Sequence, residues 1–140
     1  MAARVLLVED DPSIAELMAL HLTRDGHDVT HVTTAQQAVD TTASCAFDLV
    51  VLDLGLPDFD GVTVCRRVRR EGQCRRAPLL VVTARHLEAD TVLALESGAD
   101  AVMHKPFAPA ELRSRVRSLL RRWGEPAHGE ARLPVLSVGA

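Results

Sequence analysis

Leu49-Val50-Val51-Leu52 is an apolar run without polar alternation, and it stops on an acid, Asp53. Such a strand is satisfied where helices cover both faces, the usual state of a strand in a parallel sheet. Val5-Leu6-Leu7-Val8 repeats the pattern and also ends in acids, Glu9, Asp10 and Asp11. In open α/β sheets, ligands collect at the C-terminal ends of the strands. Taken alone, Asp53 reads first as a strand-terminating acid capping the turn that holds Gly55, Pro57, Asp58, Asp60 and Gly61. Its partners elsewhere in the chain decide between the two.

The remaining chain alternates the same way. Asp11 before Pro12 is an N-cap followed by proline at the first helical position, and Ile14, Leu17, Met18, His21 and Leu22 keep helical spacing up to Gly26. Val29 to Val32 forms a short strand, and Thr34 precedes a helix with Ala35, Ala38, Val39 and Thr42 on its inner face. After the Asp53 strand (β3, 49–52), Asp60-Gly61 opens a helix whose inner residues are Val64, Cys65 and Val68. Its Arg66, Arg67, Arg69 and Arg70 then form a solvated face. Leu79 to Val82 is β4, closed by Thr83 and Ala84, and a helix, α4, spans 87–97 up to Gly98. Ala101 to His104 is β5. It runs into Lys105-Pro106, and Pro109 starts α5 with Leu112, Val116, Leu119 and Leu120 inward. Five β-α repeats predict a parallel sheet with helices on both sides.

The acids after the first strand, Asp53, Thr83 and Lys105 thereby share one rim. Grouped carboxylates are an oxygen-ligand set for a hard cation such as Mg2+, which also takes water and phosphate oxygens. Repulsion between them raises their pKa values, and a metal or the ammonium of Lys105 reverses that effect. The set suits phosphoryl transfer, in which a carboxylate oxygen can act as nucleophile and form an acyl phosphate. The Thr83 hydroxyl can donate to a phosphoryl oxygen, and the small Ala84 leaves room for it. Among sixteen basic side chains Lys105 is the one lysine. A compact ammonium on a flexible stem does what a planar guanidinium fork does not. The Lys105-Pro106 bond is one that can be cis.

Composition removes other classes. No stretch approaches the ~18 apolar residues of a membrane span, and the start Met-Ala-Ala-Arg has no signal-peptide core, so the expected location is the cytoplasm. Cys45, Cys65 and Cys74 show no C-x-x-C spacing and read as reduced packing thiols. A net charge of -3 and 3% aromatic content give neither a nucleic-acid footprint nor a stacking platform. No Gly-rich phosphate loop occurs.

Val-Glu-Asp-Asp at 8–11, Leu-Asp-Leu-Gly-Leu-Pro-Asp-Phe-Asp-Gly at 52–61, Val-Thr-Ala-Arg at 82–85 and Lys-Pro-Phe at 105–107 together resemble response-regulator receiver domains. The resemblance covers about residues 4–122. Asp-Leu-Gly-Leu-Pro, Thr-Ala-Arg and Leu-Glu-Ser-Gly-Ala-Asp bring it nearest the OmpR/PhoB type of transcription regulator. It implies a flavodoxin-like (βα)5 fold, a doubly wound parallel sheet of strand order 2-1-3-4-5. It also implies phosphoryl transfer from the phosphohistidine of a sensor histidine kinase to Asp53. Glu9, Asp10, Asp53 and the backbone carbonyl of Gly55 would hold Mg2+, and Thr83 and Lys105 would bind the phosphoryl oxygens. Such a domain is a phosphoacceptor and not a turnover enzyme.

Two features depart from the family pattern. Val102 stands where receivers carry an aromatic or histidine ring that swings when the threonine engages phosphate, so a ring switch cannot work there in its usual form. The α4-β5-α5 face, through which this subfamily forms homodimers by charge pairs, keeps Glu96, Asp100, Glu111, Arg115 and Arg117 but has Thr91 and Ala101 where charged partners stand. A receiver at 1–122 is then followed by 123–140, a polar linker and after it an apolar-rich stretch, Arg132 to Ala140, whose Pro-Val-Leu-Ser-Val-Gly resembles the first strand of a winged-helix effector domain. DNA would be bound only through such a downstream domain. The alternatives are a stand-alone or atypical receiver acting by protein-protein contact, or an aspartyl-nucleophile phosphatase, which would need Asp-x-Asp-x-Thr where this chain has Glu-Asp-Asp-Pro.

Overall fold

The computed structural model describes residues 2–123. The linker and the suggested effector start at 124–140 lie outside the described residues. The elements run β1 (Arg4–Val8), α1 (Pro12–Arg24), β2 (Asp28–Val32), α2 (Ala35–Ser44), β3 (Leu49–Leu52), α3 (Gly61–Arg70), β4 (Leu79–Thr83), α4 (Glu88–Glu96), β5 (Ala101–His104) and α5 (Pro109–Trp123). The strands form one parallel sheet in the order β2-β1-β3-β4-β5. This is the flavodoxin-like arrangement that the sequence implied.

The unbroken apolar runs are explained by two cores, one on each face. Leu6, Val8, Val50, Leu52, Leu79 and Val81 point into the layer that holds α2, α3 and the Ala94 turn of α4. Val5, Leu7, Leu49, Val51, Leu80 and Val82 meet α1 and α5 on the other side. Strand side chains alternate faces, so a strand buried on both sides needs apolar residues at every position. Each fully buried Leu or Val contributes about 1.5–3 kcal/mol relative to exposure. Leu17, placed inward by helical spacing, is solvent-facing, and Ala15 takes the buried position beside Met18 and Leu22. Cys65 and Cys74 are buried free thiols, and burial pushes the Cys65 thiol up to about 12.

Local chemistry sets the helix ends near the rim. The Asp11 side chain accepts from the Ser13 and Ile14 amides at the start of α1, and Asp60 accepts from Val62 at the start of α3. Asp58, also in the loop after β3, accepts from the Ala35 and Gln36 amides, each at 2.8 Å, and so ties that loop to the N-terminus of α2. Gly61 is required by close approach: a Cβ there would stand 2.6 Å from the Asp53 carbonyl oxygen.

The arginines of α3 are not uniformly solvated. Arg69 reaches across to donate to the Gly98 carbonyl (2.9 Å), the Ala77 carbonyl (2.6 Å) and Asp100 Oδ2 (2.7 Å). A long guanidinium can leave an outward Cα position and still clamp its neighbours. On the opposite side, Asp25 at the end of α1 accepts a forked pair from Arg113 of α5, with a shortest contact of 2.7 Å. That guanidinium holds the Asp25 carboxyl below the usual carboxylate range. Among the described residues no helix is long and apolar enough to cross a membrane.

Candidate functional site

β1 and β3 are neighbours, paired Val8 to Leu52, so the residues that follow them emerge side by side. Oxygens of Glu9, Asp10 and Asp53 lie within 4.8 Å of one another. Lys105, just beyond β5, brings Nζ to 2.8 Å from Glu9 Oε1 and 3.2 Å from Asp53 Oδ2. The second oxygen of each acid is held by backbone: Asp11 N–H donates to Glu9 Oε2 at 3.1 Å, and Gly55 N–H donates to Asp53 Oδ1 at 3.2 Å. Glu9 and Asp53 are buried, while Asp10 is exposed and bonded to no side chain among the described residues.

The electrostatics follow from that packing. Burial, aided by the charge of Asp53, raises the Glu9 pKa, and the Lys105 and Asp11 N–H bonds only partly offset this. Burial works to lower the Lys105 pKa, yet the bond to Glu9 and the charges of Asp53 and Glu9 outweigh it, and the ammonium is held above the ordinary lysine range. Three carboxylates against one ammonium leave net negative charge on an all-oxygen donor set. That chemistry fits a hard divalent cation. The cluster of Glu9, Asp10 and Asp53 could hold such an ion.

Thr83 ends β4 on the same rim, buried, with its hydroxyl oxygen accepting the Arg85 N–H at 3.0 Å. Arg85 in turn contacts Asp60 Oδ2 at 3.0 Å and the Leu54 carbonyl at 3.4 Å, bridging the loops that follow β4 and β3. The Lys105-Pro106 peptide is cis. The rim residues singled out by sequence thus lie together: Lys105 contacts Glu9 and Asp53, an Asp10 oxygen lies within 4.8 Å of theirs, the Gly55 N–H bonds Asp53, and Thr83 ends the neighbouring strand.

On the α4-β5-α5 flank, Asp100 also has partners within the chain. Its Oδ2 accepts from Arg69 at 2.7 Å and from the Leu79 N–H at 2.8 Å, and the residue also borders the space between α4 and α5. Arg115 lies 3.7 Å from Glu111 and Arg117 lies 4.0 Å from Asp25, and Glu96 is exposed. Val102 and Ala101 help to line a pocket of about 410 Å³ between α4 and α5.

Sequence reasoning passed over Asp58, Arg85, His86 and His104. His104 directly precedes the lone lysine and His86 follows Thr83 by three residues, which was the available signal.

Comparison with known proteins agrees with this geometry. The model of the response regulator receiver domain matches residues 5–117. The chain is 41% identical over 140 residues to the DNA-binding response regulator MtrA of Mycolicibacterium smegmatis, covering 99% of this chain and 58% of that protein. It is also 41% identical over 122 residues to the alkaline phosphatase synthesis transcriptional regulatory protein PhoP of Bacillus subtilis, covering 87% of this chain and 50% of that one. The chain therefore spans about half the length of these curated relatives. The receiver domain of a sensor histidine kinase from Pseudomonas aeruginosa PAO1, solved with a magnesium ion coordinated in its active-site cleft, superposes with a TM-score of 0.79 at 30% identity, over 86% of this chain and 99% of that one. With strands in the order 2-1-3-4-5, an acidic cluster joined by one lysine at their C-terminal rim and a family match over most of its length, this chain belongs to the response regulator receiver domain family.

Proposed function

We propose that this receiver accepts a phosphoryl group on Asp53 from the phosphohistidine of a sensor histidine kinase, with Mg2+ held by Glu9, Asp10, Asp53 and the Gly55 carbonyl. The observation that carries this reading is the pinning of Asp53. Its Oδ1 is bonded to the Gly55 amide and its Oδ2 to Lys105, inside a cluster with surplus negative charge. When bound, Mg2+ would supply charge neutralisation for the phosphoryl oxygens.

A carboxylate oxygen of Asp53 attacks phosphorus in line. The phosphorus-nitrogen bond of the donor breaks as the new phosphorus-oxygen bond forms, and the imidazole departs with the electron pair and takes up a proton. Lys105 compensates charge on one phosphoryl oxygen, and the Thr83 hydroxyl donates to another. A receiver domain is not a turnover enzyme, so the acyl phosphate is a signal that ends by hydrolysis.

The signal is read on the α4-β5-α5 flank and, in the setting of a DNA-binding regulator, controls transcription in the cytoplasm through a domain beyond the receiver. The Arg69 pair to Asp100 Oδ2, together with the uncharged Thr91 and Ala101, supports weak homodimerisation on that flank, or a receiver that acts by contact with another protein. Intact-mass measurement after acetyl-phosphate treatment tests the central step. One phosphoryl addition is expected with Mg2+, none with chelator and none in Asp53→Asn; a phosphorylated Asp53→Asn chain would overturn the assignment.

A further inference from the structure

Two imidazoles beside the rim take no part in the proposed phosphoryl chemistry. His104 ends β5 as the register partner of Thr83, so the two side chains stand on the same face of the sheet. The Lys105 N–H donates to the Thr83 carbonyl at 2.8 Å, which ties both ends of that pair together. His104 Nε2 lies 3.3 Å from Thr91 Oγ1 on α4. Its ring centroid is 5.0 Å from that of His86, with the planes tilted by 30°. His86 sits in the loop from β4 into α4, and its Nε2 is 2.8 Å from the Lys105 carbonyl oxygen. A carbonyl only accepts, so His86 carries a proton on Nε2.

The two rings therefore join the residues proposed to grip phosphoryl oxygens, Thr83 and Lys105, to a helix that forms the output flank. Val102, two residues back on the same face of β5, has no polar atom with which to do this. Thr91 and Val102 both border the 410 Å³ pocket, so movement of Thr91 changes the shape of that surface. An occupied site can bias α4 only through contacts that differ between its two states.

We infer that the His86–His104 pair is the positioning link through which occupancy of the Asp53 site sets the placement of α4. This rests on Asp53 being the phosphoacceptor and adds the route by which its state leaves the rim.

The test uses the full chain with Mg2+ and beryllofluoride, a phosphoryl mimic, followed by amide NMR. In the wild-type chain, shifts are expected at Leu54 and Gly55 beside the site and at Thr91 and Leu95 on α4. In His104→Ala the site shifts persist, while the α4 shifts fall by about threefold or more, the size of coupling carried by a linking residue. His86→Ala weakens them as well, and His104→Gln, which keeps a hydrogen-bonding group for Thr91, recovers part of the response. Undiminished α4 shifts in both alanine variants would overturn the inference. A wild-type response confined to the site would overturn it too, leaving the phosphoacceptor reading standing. No response at Gly55 at all would sink that reading and this one with it.

Discussion

The rim at the ends of β1, β3 and β5 and the flank formed by α4, β5 and α5 share a strand and are built in opposite ways. At the rim, Glu9 and Asp53 are buried, and all four of their carboxylate oxygens are bonded, to Lys105 or to a backbone amide. On the flank, Leu87, Val92, Leu93 and Leu95 face solvent, Leu87 being 71% exposed, and a pocket separates α4 from α5. Ala94 is the one buried residue of α4, whereas every residue of β3 is buried. The proposed transfer chemistry requires groups that are already oriented when a donor arrives, and a fixed cluster would supply them. If the flank is the proposed output surface, it needs a second arrangement of similar energy, which few buried contacts permit.

The sharpest way to break this contrast is to remove the same side-chain volume from each region. Leu52→Ala, directly behind Asp53 and fully buried, should destabilise the fold by about 2–5 kcal/mol. Leu95→Ala on the flank, 44% exposed, should stay within about 0.5 kcal/mol. Urea denaturation of both variants measures it, and equal losses would mean that α4 is packed as tightly as β3.

Within the rim, Lys105→Arg asks whether the cluster requires that ammonium in particular. Nζ approaches Glu9 and Asp53 at once from a confined position, which a bulkier planar fork does not reproduce. The rate of phosphorylation by acetyl phosphate should fall by about tenfold, equivalent to about 1.4 kcal/mol at the transition state. A wild-type rate would reduce the lysine to a neutral choice.

The smallest expected effect comes from the far side of α5, which is braced against α1 where α4 is not. Arg113 lowers the folded-state pKa of Asp25 below its ordinary 3.8. The resulting stabilisation is complete above the unfolded value and is lost as pH falls below 3.8 through the folded value. Thermal melts of wild type and Asp25→Asn should therefore converge in that acid window and differ above it. A constant difference at all pH values would remove the ion pair as its cause.

The half of this contrast that was legible in the sequence is the rim. Unbroken apolar runs reveal strands covered on both faces, and a rim residue that follows such a run is located as soon as the run is recognised. The lone lysine among arginines marked its own position. The flank was less legible because its contacts join segments far apart in the chain and depend on reach rather than period. Helical spacing places Arg69 outward, yet its side chain finds Asp100, 31 residues away. Arg113 and Asp25 meet across 88 residues, and no local pattern announces them. The His86–His104 contact likewise exists only because β4 and β5 are adjacent.

In the proposed reaction the phosphoryl group resides on Asp53 and nowhere else. Borohydride reduction of the chain after acetyl-phosphate treatment converts an aspartyl phosphate to homoserine, and peptide mass spectrometry then locates it. Homoserine at position 53 alone, and only when Mg2+ was present during phosphorylation, is the predicted result; homoserine at Asp10, Asp11 or Asp60, or labelling indifferent to Mg2+, would contradict the account.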